Sequence, residues 1–143
     1  MLWCLFCCHP IPSLPMPTHL ITGANRGIGL ALARSLIARG DRVLGTARAP
    51  DAATALKALG DNVRVVPLDV SDPASIERLA GAVGKEPIDT LINNAAIAST
   101  SKRLDTIDVA ELQNVFMVNT IAPLLVTPKD RLRMAMPFHI EWK

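Results

Sequence analysis

Leu20-Ile21-Thr22-Gly23-Ala24-Asn25-Arg26-Gly27-Ile28-Gly29, running on into Leu30-Ala31-Leu32-Ala33, is the stretch whose reading decides the fold. A short apolar run turns through three glycines directly into a helical pattern. A diphosphate needs backbone N–H groups aimed at it with a helix N-terminus behind them, and only residues without a Cβ let the main chain come that close. Gly23, Gly27 and Gly29 meet that need with the spacing G-x-x-x-G-x-G, not the commoner G-x-G-x-x-G, so the context carries the reading. A glycine-rich turn that holds no ligand is the alternative.

That alternative weakens further along. A nucleotide-binding βαβ unit requires a second strand about 20 residues past the glycines. An acidic residue at its end suits a free ribose 2′-hydroxyl, and an arginine suits a 2′-phosphate. Arg42-Val43-Leu44-Gly45-Thr46-Ala47 is that strand and Arg48 ends it, so NADP is expected in preference to NAD.

At this point the chain resembles the short-chain dehydrogenase/reductases, whose glycine motif T-G-x-x-x-G-x-G matches Thr22 to Gly29. Within the family it looks most like the NADP-dependent carbonyl-reductase and C-factor-like branch. The resemblance covers about Thr18 to Val126 and fails at both ends. It implies a Rossmann-type doubly wound parallel sheet of the α/β class, truncated after about four strands and the following helix. It also implies hydride transfer between a nicotinamide and a carbonyl or alcohol.

Composition narrows the remaining classes. A chain of 143 residues, half of them hydrophobic, is one domain able to bury a sizeable core. A net charge of +2, with no basic stripe and almost no aromatic residues, sets nucleic acid aside as a partner. No run approaches the roughly 18 consecutive apolar residues of a membrane span, so a soluble protein is expected, and the cysteine usage fits a reducing cytoplasm. All three cysteines fall within the first eight residues, which argues against a disulfide framework.

Residues 1–17, MLWCLFCCHPIPSLPMP, differ in character from the rest of the chain and read as a disordered extension or a mis-assigned start ahead of Met16. Cys4, Cys7, Cys8 and His9 do not have the Cys-x-x-Cys-His haem spacing, and so contiguous a run cannot surround zinc with four ligands, so no metal site is expected. Residues 18–126 form the partial dinucleotide-binding domain, and 127–143 an atypical tail.

Within the domain, Gly27 to Arg39 carries Ile28, Leu32, Leu36 and Ile37 at helical spacing and stops at Gly40. A short helix runs from about Ala52 to Leu59, then a third strand from Val63 to Leu68. Ser71-Asp72-Pro73 supplies its own cap for a helix from Pro73 to about Val83, which leaves Asp69 spare. By the resemblance, Asp69 meets the adenine edge together with the backbone of Val70. A fourth strand, Thr90 to Asn93, runs into Asn94-Ala95-Ala96, where the family has N-N-A-G beside the cofactor. The resemblance places Asn93 and Ala95 at the dinucleotide together with Asn25, Arg26, Ile28 and the glycines. Ala96 replaces a glycine and would be strained if that position required positive φ.

After a loop from Ala98 to Thr106, Asp108 caps a helix with Glu111 at capping-box spacing. Leu112, Val115 and Phe116 read as its buried stripe, with Asn119 on the same face. A polar amide there needs partners and could simply tie the helix to neighbouring backbone. By the resemblance, Asn119 is the catalytic asparagine whose main-chain carbonyl holds a relay water. Pro123, four residues on, has no N–H with which to bond that carbonyl.

The family's proton-delivering tyrosine has no counterpart, because the sequence contains no tyrosine. The matching serine and lysine are missing as well, and Lys129, His139, Glu141 and the hydroxyls of residues 99–101 form no substitute constellation. The chain alone is therefore expected to be inactive, with a non-catalytic dinucleotide-binding module or a truncation product as the alternative reading. The fourth strand becomes a sheet edge, which invites self-association.

Overall fold

The computed structural model describes residues 16–101 and 103–127; the expectations for the cysteines and His9, and for Lys129, His139 and Glu141, lie outside the described residues. The chain runs β1 (Thr18–Ile21), α1 (Gly27–Ala38), β2 (Arg42–Ala47), α2 (Thr54–Lys57), β3 (Val63–Pro67), α3 (Pro73–Val83), β4 (Thr90–Ile92), α4 (Val109–Phe116) and α5 (Ala122–Val126). All four strands are parallel, in the order β3-β2-β1-β4. The order reverses beside β1, so a crevice opens between the C-terminal ends of β1 and β4, where open α/β sheets bind ligands.

Strand geometry sends successive side chains to opposite faces, and both faces of this sheet are covered. Leu20 joins Leu44, Val66, Ile76, Leu79, Ile88, Ala122 and Val126 on the face covered by α3 and α5. Ile21 joins Ala24, Ala33, Val43, Ala47 and Leu56 on the face covered by α1 and α2. All four residues of β1 are buried, which is why its sequence does not alternate cleanly.

Below the crevice, polar ties close the N-terminal end of the sheet. Arg64 on β3 donates to the carbonyls of Ala82 and Val83 at 2.9 and 2.8 Å, satisfying the last turn of α3. Its guanidinium also reaches Glu86 at 3.0 Å, and Arg42 of β2 holds the other oxygen of the same carboxylate at 2.9 Å. Asp41 is gripped by Arg39 at the end of α1 and lies 3.3 Å from His19 Nε2 on β1.

Four local expectations need correction. The helix expected from Ala52 to Leu59 is a 3-10 turn, Pro50–Ala52, and then α2, because Ala53 leaves helical geometry at ψ 49°. Ile28 does not face the core: it is 74% exposed, and α1 meets the sheet through its small residues Gly29 and Ala33. Asp108 does cap α4 through the Ala110 N–H, but Glu111 does not complete a capping box. Its carboxylate instead takes the Thr100 hydroxyl at 2.9 Å and the Thr100 N–H, tying down the preceding loop.

The fourth correction concerns the helix face. Leu112, Phe116 and Asn119 are exposed, and the buried line is Val118, Ala122 and Val126. Between α4 and α5 the backbone widens to a π-helix, Met117–Ile121, with the Ala122 N–H bonded to the Met117 carbonyl. The wider turn carries the chain past Pro123, which lacks a donor for the ordinary ladder. The run Val109–Val126 is long and apolar enough to cross a membrane by length and composition. Its C-terminal half packs into the core, however, with Ala122 and Val126 at 1% and 2% exposure.

Candidate dinucleotide site

The glycine turn is held from three sides. Gly23 donates its N–H to Thr46 Oγ1 at 3.1 Å, and Ala24 donates to the Thr46 carbonyl at 2.9 Å. Thr22 Oγ1 accepts the N–H of Asn94 at 2.9 Å and that of Ala95 at 3.0 Å. The Asn94 side-chain amide in turn donates to the carbonyls of Thr22 and Gly23, at 3.0 and 3.2 Å. β1, β2 and β4 are thereby fastened together at the level of the turn.

The turn leaves no room for side chains at two of its glycines. Gly23 has φ +66°, and a Cβ there would lie 3.1 Å from Ala95 Cα. A Cβ on Gly29 would collide with the Gly23 carbonyl and lie 2.6 Å from Asn94 Nδ2. Helix α1 begins directly behind, with no side-chain hydrogen bond from its N-cap residue Arg26 and no acid in its first turn. Its leading N–H groups and the positive end of its dipole therefore remain available to an anion, as a diphosphate cradle requires.

Above the turn lies a cavity of about 610 Å³. Of the residues named from the sequence, Gly23, Asn25, Arg26, Gly27, Ile28, Arg48, Asp69, Val70 and Ala95 line it together. Gly29 is not in the lining and packs against the Gly23 carbonyl. Asn93 and Asn119 are not in the lining: Asn93 Nδ2 reaches Thr127 Oγ1 at 3.3 Å. Asn119 forms a paired contact with the backbone of Ile97, accepting its N–H at 3.0 Å and donating to its carbonyl at 2.8 Å. Ile97 does line the cavity, so the Asn119 amide fixes one wall of it from outside.

Ala96 is not strained, since no residue other than glycine has positive φ among the described residues. Asp72 caps α3 through Ala74 and Ser75, at 3.0 and 3.1 Å. Asp69 is only partly spare, because its Oδ1 accepts both the hydroxyl and the N–H of Ser71, at 2.6 and 2.9 Å. The Ser71 hydroxyl holds the Asp69 carboxyl below its ordinary range, burial opposes this, and the Arg48 charge adds to the lowering. Arg26 and Arg48 themselves enter no ion pair among the described residues. Two guanidinium groups outside any ion pair therefore border the cavity.

Sequence reasoning missed Asn94, Thr22, Thr46 and Ser71 as builders of this site. The signal for Asn94 was present, since it is the second of two successive asparagines leaving a strand toward the glycine turn.

The model of the short chain dehydrogenase family matches residues 17–134. The chain belongs to that family. Over 81 residues it is 47% identical to the 3-oxoacyl-[acyl-carrier-protein] reductase FabG of Escherichia coli strain K12, an alignment covering 54% of this chain and 33% of the reductase. Among solved structures, the RhlG/NADP active-site complex of Pseudomonas aeruginosa superposes with a TM-score of 0.74 at 32% identity, covering 87% of this chain and 49% of that one. The 3-ketoacyl-(acyl-carrier-protein) reductase of Brucella melitensis, complexed with NADH, superposes at 0.71 with 27% identity, covering 78% and 47%. The chain thus spans between a third and half of the length of these relatives.

Proposed function

We propose that this chain is the cofactor-binding part of an NADP-preferring short-chain oxidoreductase that interconverts a carbonyl and an alcohol. The observation that carries the reading is the cradle: a glycine turn closed to any Cβ at Gly29, backed by the free N-terminus of α1 and bordered by Arg26 and Arg48. The pyrophosphate lies on the main chain of Gly23, Asn25, Gly27, Ile28 and Gly29. Arg26 and Arg48 clamp the 2′-phosphate. Asp69 takes the adenine edge with the backbone of Val70, and Ala95 meets the dinucleotide from the β4 side, whereas Asn93, outside the lining, takes no part. When bound, the nicotinamide supplies or accepts the hydride.

This chain's own residues bind and orient. Asn119 secures the Ile97 wall with its side chain, while its main-chain carbonyl, to which Pro123 offers no N–H, holds the relay water. With no tyrosine in the sequence, the proton donor is absent, and NADPH consumption with a panel of small aldehydes is expected to be nil for the chain alone. That result would equally suit a non-catalytic dinucleotide-binding module, so binding is the decisive measurement. Calorimetry should show NADPH binding to the folded chain. Arg48→Ala should weaken NADPH far more than NADH, and equal losses would remove Arg48 from the 2′-phosphate site.

β4 pairs only with β1 among the described residues, so its outer side is an edge. In this reading the edge drives self-association of the chain unless the tail covers it. A monodisperse monomer in light scattering would rule that out.

A further inference from the structure

Arg48 and Asp69 lie just past the ends of neighbouring strands. Ala47 stands in register with Pro67, and Leu68 donates to the Ala47 carbonyl at 3.0 Å, so Arg48 and Asp69 leave the sheet at one rim of the cavity that both line. Opposite charges so placed ordinarily close into a two-pronged arginine–carboxylate pair. Here they do not: no ion pair joins them, although Arg48 is near enough for its charge to act on the Asp69 carboxyl. The carboxylate is anchored by Ser71 instead. One of its oxygens accepts two bonds from Ser71, at 2.6 Å from the hydroxyl and 2.9 Å from the N–H. The Asp69 N–H donates to Ser75 Oγ at 2.9 Å, which fixes the backbone under it to the first turn of α3.

We infer that Ser71 is a positioning residue for cofactor selectivity: it holds Asp69 away from Arg48 and so keeps the Arg48 guanidinium free for a 2′-phosphate. The inference rests on the NADP reading above and extends it to a residue outside the phosphate site. Without the hydroxyl, one donor to Oδ1 remains, the carboxylate turns toward Arg48, and the phosphate must then displace an ion pair. NADH has no 2′-phosphate and does not meet this competition. Contacts to adenine, pyrophosphate and nicotinamide are common to both dinucleotides and cancel in the ratio of their affinities.

The test is calorimetric titration of the 143-residue chain with NADPH and NADH, read as the ratio Kd(NADH)/Kd(NADPH). Ser71→Ala should lower the ratio by roughly two- to fivefold, the range that one exposed ion pair commands. Ser71→Thr, which keeps the hydroxyl, should leave it near the starting value. In an Asp69→Asn background, where no ion pair can form, Ser71→Ala should have no effect on the ratio. Ser71 is exposed, so the variants should fold, and circular dichroism checks that they do. A ratio unmoved by Ser71→Ala, or an effect that persists with asparagine at 69, overturns the inference while leaving the cofactor reading intact. If the folded parent chain binds neither dinucleotide, the cofactor reading fails and the inference falls with it.

Discussion

Thr22 and Asn94 are bonded in both directions: the Thr22 hydroxyl accepts the Asn94 N–H at 2.9 Å, and the Asn94 side-chain amide donates to the Thr22 carbonyl at 3.0 Å. Thr22 lies just past the end of β1 and Asn94 just past that of β4, so the pair closes the crevice at the point where the sheet order reverses. The same hydroxyl takes the Ala95 N–H, and Thr22 is only 2% exposed. Replacing it by valine keeps the volume and orphans two backbone donors. Thr22→Val should therefore destabilise the fold by on the order of 2 kcal/mol, while Thr22→Ser, which retains the acceptor, should cost clearly less. Urea denaturation of the three proteins separates these outcomes.

Two glycines give opposite predictions from the same substitution. At Gly29 a Cβ would meet the Gly23 carbonyl and Asn94 Nδ2, atoms that the turn's own hydrogen bonds hold in place. Gly29→Ala should displace the turn and abolish dinucleotide binding. Gly81 lies inside α3 with nothing within 4 Å of a would-be Cβ. Gly81→Ala should raise stability by about 0.5–1 kcal/mol, by removing conformational freedom from the unfolded chain, with no change in binding. Thermal unfolding measures both stabilities, and a loss at Gly81 would contradict the open space around it.

The strands and the glycine turn were legible because the signals that make them are local. Val63-Arg64-Val65-Val66 extends through its β-branched residues wherever it sits, and Gly23, Gly27 and Gly29 state by their spacing where main chain must approach a ligand. Arg48 and Asp69 were legible for a related reason, since each stands where a strand ends and parallel strands bring those ends to one rim. The face of the last helix was not. The apolar stripe Leu112, Val115 and Phe116 signals an inward face and takes Asn119 with it, but Leu112 and Phe116 are themselves exposed along with Asn119, and Val118, Ala122 and Val126 go inward instead. Glu111 fits a capping box by spacing, yet the Thr100 hydroxyl and N–H lie within its reach and take the carboxylate. Asn94 escaped because its partner Gly23 is set by how β4 meets the glycine turn, whereas Ser71 bonds Asp69 only two residues away, a local turn hidden behind the reading of Ser71-Asp72-Pro73 as a helix cap.

The tie between β3 and α3 gives a prediction far from the crevice. Arg64 donates to the carbonyls of Ala82 and Val83 and to Glu86, closing the C-terminal end of α3 with one guanidinium. Arg64→Ala should cost about 1–2 kcal/mol, mostly through the two carbonyl bonds. Arg64→Lys cannot span the same three acceptors with a planar fork and should recover only part of the loss. Added salt should weaken the Glu86 contribution but not the bonds to the carbonyls, so the cost of Arg64→Ala should fall only slightly in about 1 M salt. Dinucleotide affinity should stay unchanged.

The Asp41 carboxyl sits below its ordinary value of 3.8, chiefly through the hydrogen bond from Arg39, with His19 helping and desolvation opposing. A carboxyl whose folded-state pKa is lowered binds fewer protons folded than unfolded in the interval between the two values, so stability rises with pH across that interval. Its contribution is complete above about pH 4 and disappears as pH falls through the lower, folded-state value. Asp41→Asn should therefore be less stable than the parent at pH 7, with a gap that stays level down to about pH 4 and closes below it. Urea midpoints of both proteins at pH 7, 5 and 3 test this. A gap that stayed constant through the acid range would assign the effect of Asp41 to packing against β1 and not to its charge.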